Sequence, residues 1–478
     1  MQRLSRTWTA PRWLRAVCLL AWLPLLSPVS AQTDEPAAGS QAIAFPEQNL
    51  SVSLAGIEDL ETIVAKPMGQ IQGMWSGRIG ETKFTLSLSF LEKDLFGFEE
   101  PNDVLRIAEY NLPTPTSGDP EHPGQAQFSK TEYREGPYGY VPVAWLGLFA
   151  TKAETREVNH QLFLCGLTER VGYSLEVRTD PALVEADRAA VLDWLWGAIR
   201  YDGPTRDPNW TDEEAEARWK RDAPEKVQEK GLFLVYRTKY YIILTNIGKS
   251  TTKDFGKKLD ANYEAIREVF PFEDMPAQRL LPVFYFVDSD QYHDWCERVF
   301  QDRRETSAGV AFGDVYATYH QSTLAPVHIH EATHQIFQNR LHLSGGGSWF
   351  QEGVAEYMAA TPGDLSSVKN LVKRDAYKHF DKFFVLDSLL DDADTERVTG
   401  GSDAGESYAQ AAALIEFARH SKFGAAKFQE FVHTMGAVPR GDLPAIDAAL
   451  QKVYQVDIAG FEAEFRKYWL ARKKRKDL

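Results

Sequence analysis

Two histidines separated by three residues, with a glutamate directly after the first, occur in the run HIHEATHQ at 328–335. On a helix His330 and His334 project from one face, one turn apart, so both imidazoles reach a single metal ion. Glu331 lies beside them, where a carboxylate takes a proton from metal-bound water without itself ligating the metal. A catalytic zinc requires a third protein ligand and an open fourth position. Glu352, in SWFQEGVAEY at 348–357, is the best candidate for that ligand. Glu356, one turn further along the same face, is placed to accept the free N–H of a metal-bound histidine and so to fix its tautomer. These residue types predict metal-assisted hydrolysis with one Zn2+ per chain.

The elements that must position these groups follow from local pattern. Pro326 suits a first helical turn, and Ile329, Ala332, Ile336 and Phe337 form an apolar stripe, so a helix is expected that ends near Leu343. Ser344, Gly345, Gly346, Gly347 and Ser348 break it, and a second helix from Trp349 to Ala360 lets Glu352 swing back toward the histidines. His328, two residues before the motif, points elsewhere on the helix and is read as structural or as a support to the ligands.

The pair HEATH and WFQEGVAEY resembles the gluzincin (peptidase MA-like) metallopeptidases, whose pattern is HExxH followed by a WxxEGxAEY-like helix. The resemblance extends more loosely over about residues 232–470, and within the group it is similar to secreted bacterial members without an assigned substrate. It implies His330, His334 and Glu352 as zinc ligands and Glu331 as general base. It also implies that the strand just before the metal helix is a sheet edge that pairs with substrate backbone. Tyr408, in ESYAQAAALIEFA, lies at a spacing where related enzymes carry a tyrosine that donates to the oxyanion; an aromatic on a bundle helix is otherwise a core residue. The Gly-Ala-Met-Glu-Asn run that receives a free N-terminus in aminopeptidases is absent, which argues against exopeptidase action.

The resulting expectation is an exported zinc metallopeptidase acting on a peptide or protein substrate, in which Glu331 takes the water proton and passes it to the leaving amine. No Ser or Cys nucleophile motif is evident. Two alternatives stay open: a catalytically inactive zincin serving as a cell-envelope binding or scaffold protein, and a zinc amidase acting on cell-wall peptide.

Charge and the chain start narrow the setting. Arg3, Arg6, Arg12 and Arg15 precede an apolar run from Ala16 to Leu26 and the small residues Val29, Ser30 and Ala31. This reads as a signal peptide over 1–31, and a secreted or periplasmic location follows. Removing it takes away four arginines and no acid, moving the formal charge from -15 to -19. So acidic a chain argues against nucleic acid as a partner. No later segment has the length of a transmembrane helix. Cys165 and Cys296 remain in the mature chain and read as small buried residues.

The fold class expected is α+β: an N-terminal antiparallel-sheet domain with a packed helix, then a zincin-like α+β catalytic domain with a helical C-terminal subdomain. Residues 32–40 are polar and expected to be disordered. In 41–201, Phe84, Leu86, Leu88 and Phe90 alternate with polar residues, as do Tyr173, Leu175 and Val177, and a helix follows from Leu183 to Ile199 with Leu192, Leu195 and Ile199 on one face. The Pro-rich stretch 112–124 is a long loop. The closing strand, strand, helix with AIRYDG faintly resembles the Mog1/PsbP-like fold, and no ligand constellation accompanies it. Residues 202–231 read as a linker with a short helix capped by Thr211 and Glu214. The catalytic domain, 232–362, opens with strands at 232–236 and 240–246. It continues with a helix carrying Phe255, Leu259, Tyr263, Ile266 and Phe270, a strand at 281–287, a helix marked by Tyr292, Trp295 and Val299, and strands at 309–313 and 315–319. The remainder, 363–478, is expected to be helical at about 405–420, 424–436, 443–453 and 457–475, with a basic end at Arg472 to Lys476.

Overall fold

A computed structural model describes residues 42–472 except 97, 99–100, 111–124, 137–138, 152–153, 157–160, 180–183, 205–206, 208, 229–232, 275–278, 323–324, 361–364, 390–402 and 439. The expected signal peptide, the start at 32–40, the Pro-rich stretch at 112–124 and the basic residues after Arg472 lie outside that set.

The protein is α+β, with antiparallel sheets at the N-terminal end, a mixed sheet in the middle and helices at the C-terminal end. Strands β1 (Ala42–Phe45), β2 (Leu50–Ser53) and β11 (Ile199–Tyr201) form a small sheet. An eight-stranded antiparallel sheet contains β3 (Glu58–Val64), β4 (Ile71–Ile79), β5 (Thr82–Glu92), β6 (Gln125–Gly136), β7 (Gly139–Thr151), β8 (Glu154–Arg156), β9 (Gln161–Leu167) and β10 (Val171–Thr179), in the order β3-β4-β5-β10-β9-β7-β6 with β8 on β7. Both faces are covered at the centre, and the sequence QLFLCGL of β9 is therefore buried along its whole length. Leu162 and Leu164 face a core closed by helix α2 (Arg188–Ala198), while Phe163, Cys165 and Leu167 face helix α1 (Pro101–Tyr110).

Two expectations here are corrected. Helix α2 begins later than Leu183 and buries Val191, Leu195 and Ala198, while Ile199 leaves the helix and pairs with Val52. The helix α1 was not foreseen from sequence, and it is what covers the second face.

The second sheet has the order β12-β13-β14-β16-β15, from β12 (Leu234–Arg237), β13 (Tyr241–Thr245), β14 (Leu281–Phe286), β15 (Gly309–Phe312) and β16 (Val315–Tyr319). Strands β13, β14 and β16 run parallel, and β15 returns antiparallel to β16 as the edge. Alternate residues serve opposite faces, as the period of two requires. Tyr241, Ile243, Val283 and Tyr285 pack against helix α4 (Lys249–Val269) and helix α6 (Val327–Ile336). Ile242, Leu244, Phe284 and Phe286 pack against helix α3 (Asp212–Asp222) and helix α5 (Ser289–Phe300).

Helix α3 lies in the stretch expected to be a linker, and its packing changes that reading. The Thr211–Glu214 capping box forms as the spacing predicts. Yet Trp219 is 2 % exposed and stacks on Phe284 at 5.8 Å, and Trp210 and Ala215 are buried in the same cluster. The segment is part of the second sheet's core. After β16 the chain adds helix α7 (Ser348–Ala359), helix α8 (Ser366–Arg374), helix α9 (Asp403–His420), helix α10 (Phe428–Gly436), helix α11 (Leu443–Tyr454) and helix α12 (Ile458–Ala471), all joined to the core of α4 and α6. Among the described residues no helix is long and apolar enough to cross a membrane.

Candidate metal centre

Helix α6 carries the HEATH residues, and its two faces divide the work. Ala332, Ile336 and Phe337 are fully buried in the core, while Gln335 Nε2 donates to the carbonyls of Pro282 (2.9 Å) and Asp314 (2.6 Å) and Asn339 Nδ2 to that of Gly313 (2.8 Å). These amides pin the β15–β16 hairpin to the helix. His330 and His334, partly exposed, face the other way. The α-helix is shorter than expected: it ends at Ile336 and widens into a π-helical turn at Phe337–Leu341, and His342 closes it in the left-handed region at φ 53°.

The glycine-rich loop that follows is fixed at both ends. Gly345 N–H donates to Gly436 O at 2.7 Å and Gly346 N–H to Val438 O at 2.6 Å, while Gln351 Nε2 donates back to the carbonyls of Leu343 and Gly345. Helix α7 is thereby returned against α6. Its Gly353 lies where a Cβ would stand 2.9 Å from the Ala411 carbonyl oxygen, so the glycine permits close packing of α7 on α9.

The three candidate ligands converge. His330 Nε2 and His334 Nε2 are 3.1 Å apart, and Glu352 Oε2 is 3.3 Å from the first and 3.5 Å from the second. One ligand atom from each of the three lies within 4.8 Å of the others. Glu356 Oε1 sits 3.0 Å from His330 Nδ1, on the far side of that ring. Glu331 stays out of the cluster: its Oε2 accepts the Ala311 N–H of β15 at 2.7 Å, and the residue is 9 % exposed.

The carboxylate and the imidazoles each favour the opposite charge on the other. Burial pushes the Glu352 carboxyl upward, but His334 and His330 outweigh it and hold the group well below the usual carboxylate range. Burial likewise opposes charge on His330, and hydrogen bonds to Glu352 and Glu356 more than offset that, raising it well above the ordinary imidazole value. Two ring nitrogens and a carboxylate oxygen aimed at one another are best satisfied by a positive centre. Two imidazoles and one carboxylate, with the outer nitrogen of one ring at a second carboxylate, fit zinc.

Tyr408, on α9, is partly buried, and its hydroxyl is pushed upward by burial and then by Glu352, Glu356 and Glu331. The tyrosine therefore lies within electrostatic reach of the same carboxylates. Its ring also packs against the main core, so both readings of the residue describe part of its surroundings. His328 turns inward, with Nδ1 2.8 Å from Tyr316 Oη and Nε2 3.2 Å from Ser322 O, and burial pushes it down to about 4. That fits its structural reading. Cys165 and Cys296 are unpaired and buried, and burial pushes their thiols up to about 12 and about 11.

No protein-family model and no curated protein matches this chain. Among solved structures, yeast LTA4 hydrolase in complex with bestatin is similar over 95% of this chain and 73% of its own, at 11% identity and a TM-score of 0.31. Cyanobacterial PsbP (CyanoP) from Synechocystis sp. PCC 6803 is similar over 37% of this chain and 99% of its own, at 13% identity and a TM-score of 0.25. Likenesses this weak carry no functional weight, and the reading of the site rests on its geometry.

Sequence reasoning missed two participants. Ala311 supplies the N–H that holds Glu331, and Gly309 leaves room for it, a Cβ there standing 3.0 Å from Glu331 Cγ. The only available signal was two small residues in a strand just ahead of the motif.

Proposed function

We propose that this chain is an exported zinc metallopeptidase of the gluzincin type that hydrolyses peptide bonds in a peptide or protein substrate. The observation that carries the reading is the meeting of His330 Nε2, His334 Nε2 and Glu352 Oε2 at one point, with Glu331 alongside but outside the ligand set. The arginine-rich, apolar start at 1–31 supports export.

His330, His334 and Glu352 would hold the zinc, which when bound would supply a water acidic enough to ionise near neutral pH (~7) and polarisation of the carbonyl oxygen. Glu356 keeps His330 oriented through Nδ1. Glu331 accepts the proton of the attacking water as its oxygen bonds to the scissile carbonyl carbon, then returns that proton to the nitrogen as the C–N bond breaks. Tyr408 donates its hydroxyl hydrogen to the oxygen that gains charge, a task for which a phenol kept protonated by burial is suited. Beyond the Ala311 N–H that Glu331 occupies, the outer edge of β15 offers its remaining backbone groups to the substrate.

The deciding experiment is metal analysis and proteolysis of the purified mature protein. One zinc per chain and cleavage of an unstructured protein, lost on treatment with a chelator and regained with zinc, are expected. A zinc-loaded chain that cuts neither proteins nor peptide libraries would overturn the peptidase reading.

A further inference from the structure

We propose that Gly309 is a positioning residue for Glu331, keeping open the space in which that carboxylate docks on the outer edge of β15; this rests on the general-base role proposed above. The contact to be held is the Ala311 N–H to Glu331 Oε2 hydrogen bond of 2.7 Å. An edge strand leaves alternate N–H groups without a ladder partner, and here one of them is aimed at the side chain meant to move the proton.

A methyl at residue 309 would stand 3.0 Å from Glu331 Cγ and 3.1 Å from Val327 Cγ2, closer than carbon atoms pack. The strand is not free to retreat. Gly309 O accepts from Ser307 Oγ at 2.6 Å, Ser307 Oγ is 2.8 Å from Tyr292 Oη, and Ala308 O accepts from Thr318 Oγ1 at 2.8 Å. Nor is the helix, because Gln335 and Asn339 bind it to the carbonyls of Pro282, Asp314 and Gly313. The flexible partner is the Glu331 side chain, which would shift by a few tenths of an ångström and stretch its hydrogen bond to Ala311. The atoms the methyl would meet belong to Glu331, Val327 and Ala317, not to His330, His334 or Glu352.

Catalysis is steep in such displacements, a shift of ~1 Å costing about 100-fold, so a few tenths of an ångström predicts a loss of about 10-fold. Gly309→Ala should therefore keep one zinc per chain and an unchanged melting temperature while kcat falls about 10-fold at constant KM. Added to Glu331→Gln, the same change should cost nothing further. Independently of turnover, the Ala311 amide should be protected from hydrogen exchange in the parent, lose that protection in Glu331→Ala and lose part of it in Gly309→Ala.

Equal Ala311 exchange in the parent and in Glu331→Ala would overturn the proposal, as would a zinc-loaded Gly309→Ala with undiminished kcat. Protection reduced in both variants of a protein that cleaves nothing would instead leave the contact standing and remove the peptidase reading. Should Gly309→Ala not fold, Ala311→Pro takes its place: it deletes the N–H at an edge position where proline is tolerated, and an undiminished kcat there would also overturn the proposal.

Discussion

The two larger sheets of this protein bury comparable aromatic and aliphatic cores but treat polar side chains differently. In the N-terminal sheet the buried polar residues, such as Thr82, Thr168 and Gln161, close turns or pair along strands. In the second half α6 buries His328, Glu331, Thr333 and Gln335, and the π-helical turn after it buries Asn339. Burying so many polar groups is costly unless each finds a partner, and there the partners are backbone groups of the β15–β16 hairpin, of β14 and of α6 itself, and a tyrosine hydroxyl. The difference teaches that apolar burial alone makes a scaffold, while polar burial with fixed partners holds reactive groups in place. The metal-ligand cluster found among the described residues belongs to the second half.

The comparison breaks most sharply at His334. His334→Ala should reduce bound zinc from one per chain to none and abolish cleavage, while an N-terminal fragment 41–201, made separately, binds no zinc at all; metal analysis of both checks it. Glu331→Gln follows. It leaves the three ligand atoms alone, so zinc should remain while turnover drops about 100-fold or more, measured by steady-state cleavage.

A third experiment moves the border between the halves. Because Trp219 is packed on Phe284 and Phe286, Trp219→Ala should destabilise the C-terminal half by about 3–5 kcal/mol in denaturant unfolding. For the same reason a piece begun near Gly231 should melt below one begun near 207. Both pieces lose the contact of Tyr133 with His342, whose rings lie 4.8 Å apart just beyond the metal helix. If the longer piece still holds zinc and cleaves, the N-terminal sheet is an accessory to the site.

The smallest effect concerns the N-terminal sheet alone. Asp187 accepts from the Thr82 hydroxyl and from the N–H groups of Glu81 and Thr82, and the Thr82 hydroxyl leads in holding its carboxyl below the ordinary value. A folded pKa below the unfolded one stabilises at pH above the usual ~3.9 and is lost as pH falls through the lowered value. Acid unfolding of the fragment 41–201 should show that loss, and Asp187→Asn should remove it from the pH profile.

Much of the second half was legible because its signals are local. The stripe of Phe255, Leu259, Tyr263 and Ile266 lies buried on α4, and the runs at 309–313 and 315–319 form the expected strands β15 and β16. What misled was equally local. Ile199 continues the apolar spacing of α2 yet pairs with β2, because a strand partner outside the pattern was available. The charged composition around Trp219 concealed two buried tryptophans, since only the inner face of α3 is apolar. Helix α1 escaped notice for want of any neighbour in sequence that demanded cover.

What the sequence by itself determined is what 3.6 residues per turn impose: His330 and His334 on one face, Glu331 beside them, Glu352 and Glu356 one turn apart on a second helix, and the Thr211–Glu214 cap. Only the tertiary structure decided that Glu352 meets both rings, that Glu356 takes the outer nitrogen of His330 and that an edge N–H holds Glu331. The reason is physical. Helical period relates residues a few positions apart, whereas the approach of α7 to α6 depends on Gly345 and Gly346 being bound to α10 and the segment after it, and on Gly353 fitting the Ala411 backbone, contacts that no single stretch of chain contains.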